Sequence, residues 1–387
     1  MMDLWATVPY YTAYLSRALL REHTNLMVGS ISYYLDPDCF SGRGVKLDPG
    51  LLDVVGKFRL PRQPLRVLKL LESVLNLSAL TVRFLISPPD IFHVQYLPMM
   101  LEGLPLDLWL VQLCRRRGSK IVLTVHDLLP HDTGDQYRQT FYRLYGMVDS
   151  IICHSDNIKT KLTSEFSVPP EKITVIPHGP FFYDLPATAS EQTLQAFDLG
   201  PAKLLVLWQG IIFPYKGIDL LLNAWRQVEA GSKDACLLIV GTGSPEFLEQ
   251  IHEQIGRLNL KRVKLHLRFV SAEELVALYR AADIVVYPYR AITTSGALAT
   301  GLALGKTIVA SNLPVFREIL TDRDNALLVD PEDQAALADA LIGLSEDSSL
   351  RERLAANVQA MNFGDESWLS IASRTRRCYE DTLAPPV

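Results

Sequence analysis

The chain has 387 residues, 48% hydrophobic and 21% charged, which are the proportions of a folded soluble protein. This excludes a disordered tail, a collagen-like repeat and a disulfide-held mini-scaffold, and the length suits two to three domains with a sizeable core in each. The net charge of −5 argues against a nucleic-acid binder, which is usually basic, and it hides an imbalance: residues 1–180 carry 19 basic against 17 acidic side chains, the remainder 19 against 26.

In chain order, Tyr10–Glu22 has helical spacing. It starts so close to the N-terminus that a first strand is very short or lacks its beginning. Ile121–Val125, Ser150–Cys153 and Ile173–Ile176 read as strands. The Gly- and Pro-containing stretch after His178 reads as a linker, placed at 183–199 between domains at 1–182 and 200–363. The second half alternates cleanly. Strands are expected at Leu204–Trp208, Ala235–Val240, Val263–Val270, Ile284–Tyr287 and Thr307–Ala310. Helices are expected at Ile218–Val228, Pro245–Leu258, Ala272–Ala281, Gly296–Leu304 and Val315–Leu320. Repeated βαβ units whose strands are apolar throughout predict a parallel sheet covered on both faces. A helical tail over Ser348–Thr382 closes the chain, with 364–387 expected to pack back on the first domain.

The cysteines Cys39, Cys114, Cys153, Cys236 and Cys378 are odd in number and form no CxxC. Neither a metal site nor a disulfide framework is expected, and reduced thiols of a cytoplasmic protein fit best. Met1-Met2-Asp3 does not open a signal peptide, and no apolar run reaches the roughly 18 residues that cross a bilayer. Over 57–70, Lys57, Arg59, Arg62, Arg66 and Lys69 interleave with Phe58, Leu60, Leu65, Val67, Leu68 and Leu70. This is either an ordinary surface helix or a peripheral contact with an anionic membrane.

In doubly wound sheets ligands bind beyond the carboxyl ends of the strands, so the strand-to-helix turns are the places to look for chemistry. Gly210 to Gly217 puts Lys216 at a helix start, where its charge and the positive end of the helix dipole are compatible only around an anion. Gly241-Thr242-Gly243 allows a ligand close to backbone. Thr294-Ser295-Gly296 opens a helix whose first N–H groups can hold a phosphate, although Ser295 could equally be a plain N-cap. In the first half, Thr124-Val125-His126-Asp127 ends a strand, and His93 and His178 lie at similar strand ends.

Together with Ile152-Cys153-His154-Ser155, Ile173 to Gly179, Phe213 to Leu221, Ala281 to Pro288 and Ala303 to Ser311, these segments resemble the retaining glycosyltransferases of family 4 over nearly the whole chain. The resemblance implies the α/β GT-B fold, two Rossmann-like doubly wound domains facing each other across a cleft. It implies a nucleotide sugar in the second domain. Lys216 would neutralise its diphosphate, and the backbone at Gly210, Thr294, Ser295 and Gly296 would cradle it. The base would lie near Gly241, Thr242, Gly243, Phe269 and Val270, with Thr300 also at the donor. His126, with Asp127 beside it, would sit by the transferred sugar, holding a hydroxyl or stabilising positive charge. No metal and no separate cofactor are implied, since lysine and helix dipole carry the charge. UDP-glucose is the first expected donor and GDP-mannose the second. The acceptor is a saccharide, lipid-linked in envelope or exopolysaccharide synthesis, which would place the protein on the inner face of the plasma membrane. Three positions depart from the pattern: Ile211 stands where an arginine is common, the usual glutamate pair is replaced by Ala291 or Ile292 and by Thr300, and Glu318 alone matches a familiar acidic position. A nucleotide-sugar epimerase and a binding protein without turnover are the alternatives on the same fold.

Overall fold

A computed structural model describes residues 1–57, 62–101, 103–130, 134–185, 195, 197, 204–232, 234–361 and 363–384. The chain divides into two compact units, Met1–His178 with Trp368–Val387, and Gly179–Ser367. The expected boundary at 182 thus falls at His178. Most of the expected linker lies outside the described residues.

The first unit is built on strands β1 (Met2–Asp3), β2 (Gly29–Ser30), β3 (Ile91–Val94), β4 (Lys120–Val125), β5 (Ser150–Cys153) and β6 (Ile173–Val175). They form a parallel sheet in the order β2-β1-β3-β4-β5-β6. Its helices are α1 (Pro9–Arg21), α2 (Arg62–Ile86), α3 (Pro98–Leu101), α4 (Leu106–Arg116), α5 (Arg138–Met147) and α6 (Asp156–Phe166). The first strand is two residues long. It is held by the Asp3 carboxylate, which accepts from the Thr7 and Val8 N–H groups at 2.7 and 3.1 Å and so fixes the start of α1. Strands β4 and β5 are buried on both faces, as their unbroken apolar sequence requires.

The second unit has strands β7 (Leu204–Ile212), β8 (Ala235–Gly243), β9 (Val263–His266), β10 (Ile284–Tyr287), β11 (Thr307–Ser311) and β12 (Leu327–Val329) in the parallel order β12-β11-β10-β7-β8-β9. Around them lie α7 (Ile218–Gly231), α8 (Pro245–Leu258), α9 (Ala272–Ala281), α10 (Gly296–Ala303), α11 (Pro314–Arg317), α12 (Gln334–Glu346) and α13 (Ser348–Ala360). Both the sheet and the alternation follow the sequence reading. Strands β7 and β8 run past Trp208 and Val240, so that Gly210 pairs with Gly241 and Ile212 with Gly243 inside the ladder. By contrast β9 stops at His266, leaving Phe269 and Val270 in irregular chain.

The tail expected as one helix is two. α13 packs on the second unit, where the Thr307 hydroxyl donates to the Arg351 carbonyl. After Gly364, α14 (Asp365–Leu383) buries Trp368, Ile371, Ala372, Thr375 and Tyr379 in the first unit. One straight helix could not serve two cores. The five cysteines are buried and form no disulfide.

Candidate functional site

In the second unit the end of β7 and the turn after it place Lys216. The turn Pro214–Lys216 closes on Gly217, whose φ is +66°. A Cβ at Gly217 would stand 1.9 Å from the Pro288 carbonyl oxygen, so only glycine lets this turn approach the loop after β10. The Lys216 ammonium comes back over the strand: a Cβ at Gly210 would be 2.9 Å from Nζ. It also lies 5.7 Å from the ring centre of Tyr289, whose ring is buried. Sequence spacing predicted Gly210, Lys216 and the Ser295 helix start as one site, and the structure gathers Gly210 and Lys216 directly.

Two sets of contacts that the sequence did not reveal hold this site. Arg290 donates through both terminal nitrogens to Asp219, at 2.7 and 2.8 Å, through Nε to Glu332 at 2.5 Å, and through Nη1 to the Pro214 carbonyl at 2.8 Å. Its own N–H donates to the Tyr215 carbonyl. It thus fastens the lysine turn to the loop after β10. Burial raises the Asp219 carboxyl, but the Arg290 hydrogen bond and charge together with the Leu220 and Asp219 N–H groups outweigh it and hold Asp219 below its usual range. The start of α10 is pinned by the Tyr279 and Tyr287 hydroxyls, which donate to the Ala297 carbonyl at 3.1 and 2.8 Å. Ser295 caps Leu298 N–H at 3.1 Å, so it is an N-cap. The Gly296 and Ala297 N–H groups are then the first-turn donors that the helix leaves to a ligand or to water.

Among the other expected donor residues, Gly241 sits against Gly210, where a Cβ would meet the Gly210 carbonyl oxygen at 1.8 Å. Thr242, Gly243 and Thr294 are half-buried near strand ends or the α10 start, as Phe269 and Val270 are beyond β9. Thr300 differs: it is buried, its hydroxyl donates to the Gly296 carbonyl at 2.8 Å, and the same oxygen accepts from Phe181 N–H. Its hydrogen-bonding capacity is used within the unit, because α10 turns its inner face, with Thr300, into the core. Gly217→Ala is expected to destabilise the second unit by about 2–4 kcal/mol, because it combines a strained φ with a backbone collision. Chemical denaturation would measure this.

In the first unit His126, at the end of β4, belongs to a buried histidine chain. His154 Nδ1 is 3.0 Å from the Ile176 carbonyl oxygen, which can only accept, so Nδ1 carries the proton. Burial pushes His154 down to about 4 and keeps it neutral. Its Nε2 is therefore bare and accepts from His126 Nδ1 at 3.3 Å. His126 is in turn held well below its ordinary pKa by burial and by His154, His178 and His93, so its Nε2 is a lone pair as well. The network then requires Gln95, whose amide end is 3.0 Å away, to turn its nitrogen to His126 and its oxygen to His93 Nε2. His93 Nε2–H also reaches the Thr124 hydroxyl at 2.7 Å, and the Tyr379 hydroxyl of α14 donates to His93 Nδ1 at 2.6 Å. The Tyr11 ring packs on His126, His154 and His178 with centroid separations of 4.7, 5.2 and 5.2 Å, and on Trp368. Asp127 stands beside this chain, half-buried, its charge acting on His154 and Tyr145.

The consequence is chemical. Where a substrate hydroxyl displaces the Gln95 amide, His126 meets it as a hydrogen-bond acceptor and not as a proton donor. Nitrogen-15 shifts at neutral pH are expected to show the Nδ1–H tautomer for His126 and His154 and the Nε2–H tautomer for His93. An Nε2–H signal for His126 would overturn this assignment.

Residues 8–179 match the family described as Glycosyltransferase Family 4, and residues 203–347 the domain described as Glycosyl transferases group 1. Each match covers less than half of the chain, and the two together identify a family 4-like glycosyltransferase. Similar proteins include a phosphatidyl-myo-inositol mannosyltransferase of Mycobacterium leprae, 37% identical over 43% of this chain and 43% of the relative. The match thus spans less than half the length of that relative. A D-inositol 3-phosphate glycosyltransferase of Corynebacterium efficiens is 24% identical over 76% of this chain and 71% of its own. Anabaena HepE, solved in complex with UDP-glucose, has a TM-score of 0.71 at 18% identity, covering 97% of this chain and 98% of its own. At that identity the likeness shows the GT-B fold alone, which the two parallel six-stranded sheets of this chain share.

Proposed function

We propose that this family 4-like protein is a retaining hexosyltransferase. It moves a hexose from a nucleotide sugar to a saccharide acceptor, lipid-linked in envelope or exopolysaccharide synthesis. The observation that carries the reading is the meeting of Lys216 with Gly210 in a turn fastened by Arg290, on the same unit as the Gly296 and Ala297 N–H groups. A compact cation and helix-start donors suit a diphosphate leaving group, whose charge grows as the sugar departs. The bond from the anomeric carbon to the phosphate oxygen breaks, and the acceptor oxygen bonds to the same face. The acceptor proton passes to the departing phosphate. Lysine and helix dipole carry the charge without a metal. Turnover is accordingly expected to persist in EDTA. His126 accepts a hydroxyl of the transferred sugar.

UDP-glucose and GDP-mannose are the donors put first and second. The mannosyltransferase relatives support a mannose donor, and the phosphatidyl-myo-inositol in their name supports a lipid-linked acceptor here. A thermal-shift panel of UDP-, GDP-, ADP- and TDP-sugars identifies the donor, because a ligand bound by the folded state alone raises its stability. Release of the nucleoside diphosphate with acceptor present tests transfer. Binding without release would leave a non-catalytic binding protein, a reading favoured by the absence of a glutamate at Thr300.

A further inference from the structure

Helix α2 has two faces of opposite character. Inward, Glu72 accepts from the Val54 and Val55 N–H groups at 2.6 and 3.1 Å, and Asn76 exchanges hydrogen bonds with the Leu52 backbone at 2.7 and 2.9 Å. Outward, Val67, Leu71, Leu75, Val82 and Ile86 form one stripe, each between 56 and 79% exposed. On α4 alongside, Trp109 is 60% exposed and lines, with Val74, Leu77, Leu106 and Leu113, a groove of about 610 Å³. A monomer rarely leaves so continuous an apolar surface uncovered.

Among the described residues, the exposed charges of α2 and α4 have one sign. The sole acidic residues of the two helices are Glu72 and Asp107. Both are buried, and Asp107 is engaged with the Met99, Met100 and Leu108 N–H groups. Arg66, Arg115, Arg116 and Arg117 are exposed. A second copy of this face would bring arginines and no carboxylates. An anionic leaflet offers acyl chains for the stripe and head groups for the guanidinium groups.

We propose that the α2–α4 face docks on an anionic bilayer. The helix lies along the surface, since no described helix is long and apolar enough to cross it. The expected contact at 57–70 is thereby extended: Phe58–Pro61 lie outside the described residues, and the apolar stripe continues to Ile86. This proposal does not depend on the donor reading.

The test is flotation of the full chain with phosphatidylcholine vesicles, with or without phosphatidylglycerol. Binding is expected only with phosphatidylglycerol, and it should weaken at high salt. Tryptophan emission should shift to the blue on binding, and this shift should largely vanish in Trp109→Phe, since Trp208, Trp225 and Trp368 are already buried and the half-buried Trp5 is held inward by its donation to Ser73. The pair Leu71→Glu and Leu75→Glu, and separately Arg115→Gln with Arg116→Gln and Arg117→Gln, should each weaken binding at least tenfold. The circular dichroism spectrum and the melting temperature without ligand should stay near those of the wild type in both, which verifies folding. No binding, equal binding to neutral vesicles, or full binding by both variants would overturn the proposal. So would a lipid-free dimer that Leu71→Glu dissociates.

Discussion

Lys216→Ala is expected to weaken nucleotide-sugar binding by roughly ten- to a hundredfold, the effect of removing a charge-assisted contact of about 1.5–3 kcal/mol. Turnover should fall further, by about a hundred- to a thousandfold, because the diphosphate charge is larger in the transition state than in the bound donor. Fold stability should hardly change, since Lys216 contributes a surface turn and no core packing. Lys216→Arg should restore binding in part only. The planar guanidinium is bulkier than the ammonium, and Nζ already lies against Gly210. Calorimetric titration with the donor and steady-state transfer read the two effects separately. Equal donor affinity in wild type and Lys216→Ala would remove this lysine from the diphosphate site. Arg290→Ala, which frees the lysine turn from Asp219 and Glu332, should lower donor affinity in the same direction without touching the ligand.

Acid is expected to unfold the first unit through its histidines. Burial pushes His93 to about 3 and His154 to about 4, and holds His126 well down, against an ordinary 6.5 in the unfolded chain. Between those values the unfolded state binds more protons than the folded one. The stabilisation is therefore complete above about pH 6.5 and is lost as pH falls toward 4 and then 3. For His154 alone this amounts to about 3 kcal/mol. Asp3 and Asp107, raised by burial to about 6, act oppositely, since the folded state keeps their protons between about 6 and 3.8. Two carboxyls offset only part of three histidines. Urea unfolding from pH 7.5 to 4 should show the decline. His154→Asn can still donate to the Ile176 carbonyl but cannot titrate, so it should start less stable and lose less. An unchanged slope in that variant would exclude His154 as a source.

The second unit was largely legible in the sequence because its information is local. Strands such as Ile284–Tyr287 and helices such as Pro245–Leu258 are bounded by their own turn residues and N-caps, and an apolar run between amphipathic helices has few alternatives to a parallel sheet. The ends of β7 and β8 were misjudged for an equally local reason. Gly210, Gly241 and Gly243 read as turn residues, yet here they allow two strands to continue at close approach.

The sequence by itself determined that the chain is a two-unit α/β protein, that Lys216 and the Ser295–Gly296 helix start follow strand ends of the same unit, and that His126 ends a strand. It could do so because each property depends on neighbours a few residues away. Only the tertiary structure decided which nitrogen of His126 carries the proton, since that follows from Gln95, His154 and the Ile176 carbonyl. It decided that Tyr379 from the last helix completes the chain to His93, 286 residues earlier. It also showed that Thr300 is committed to backbone, and that the carboxylates of α2 and α4 turn inward and leave an arginine-edged apolar face outside. Hydrogen-bond direction and side-chain burial are set by partners distant in sequence, and these meet only when the chain has folded.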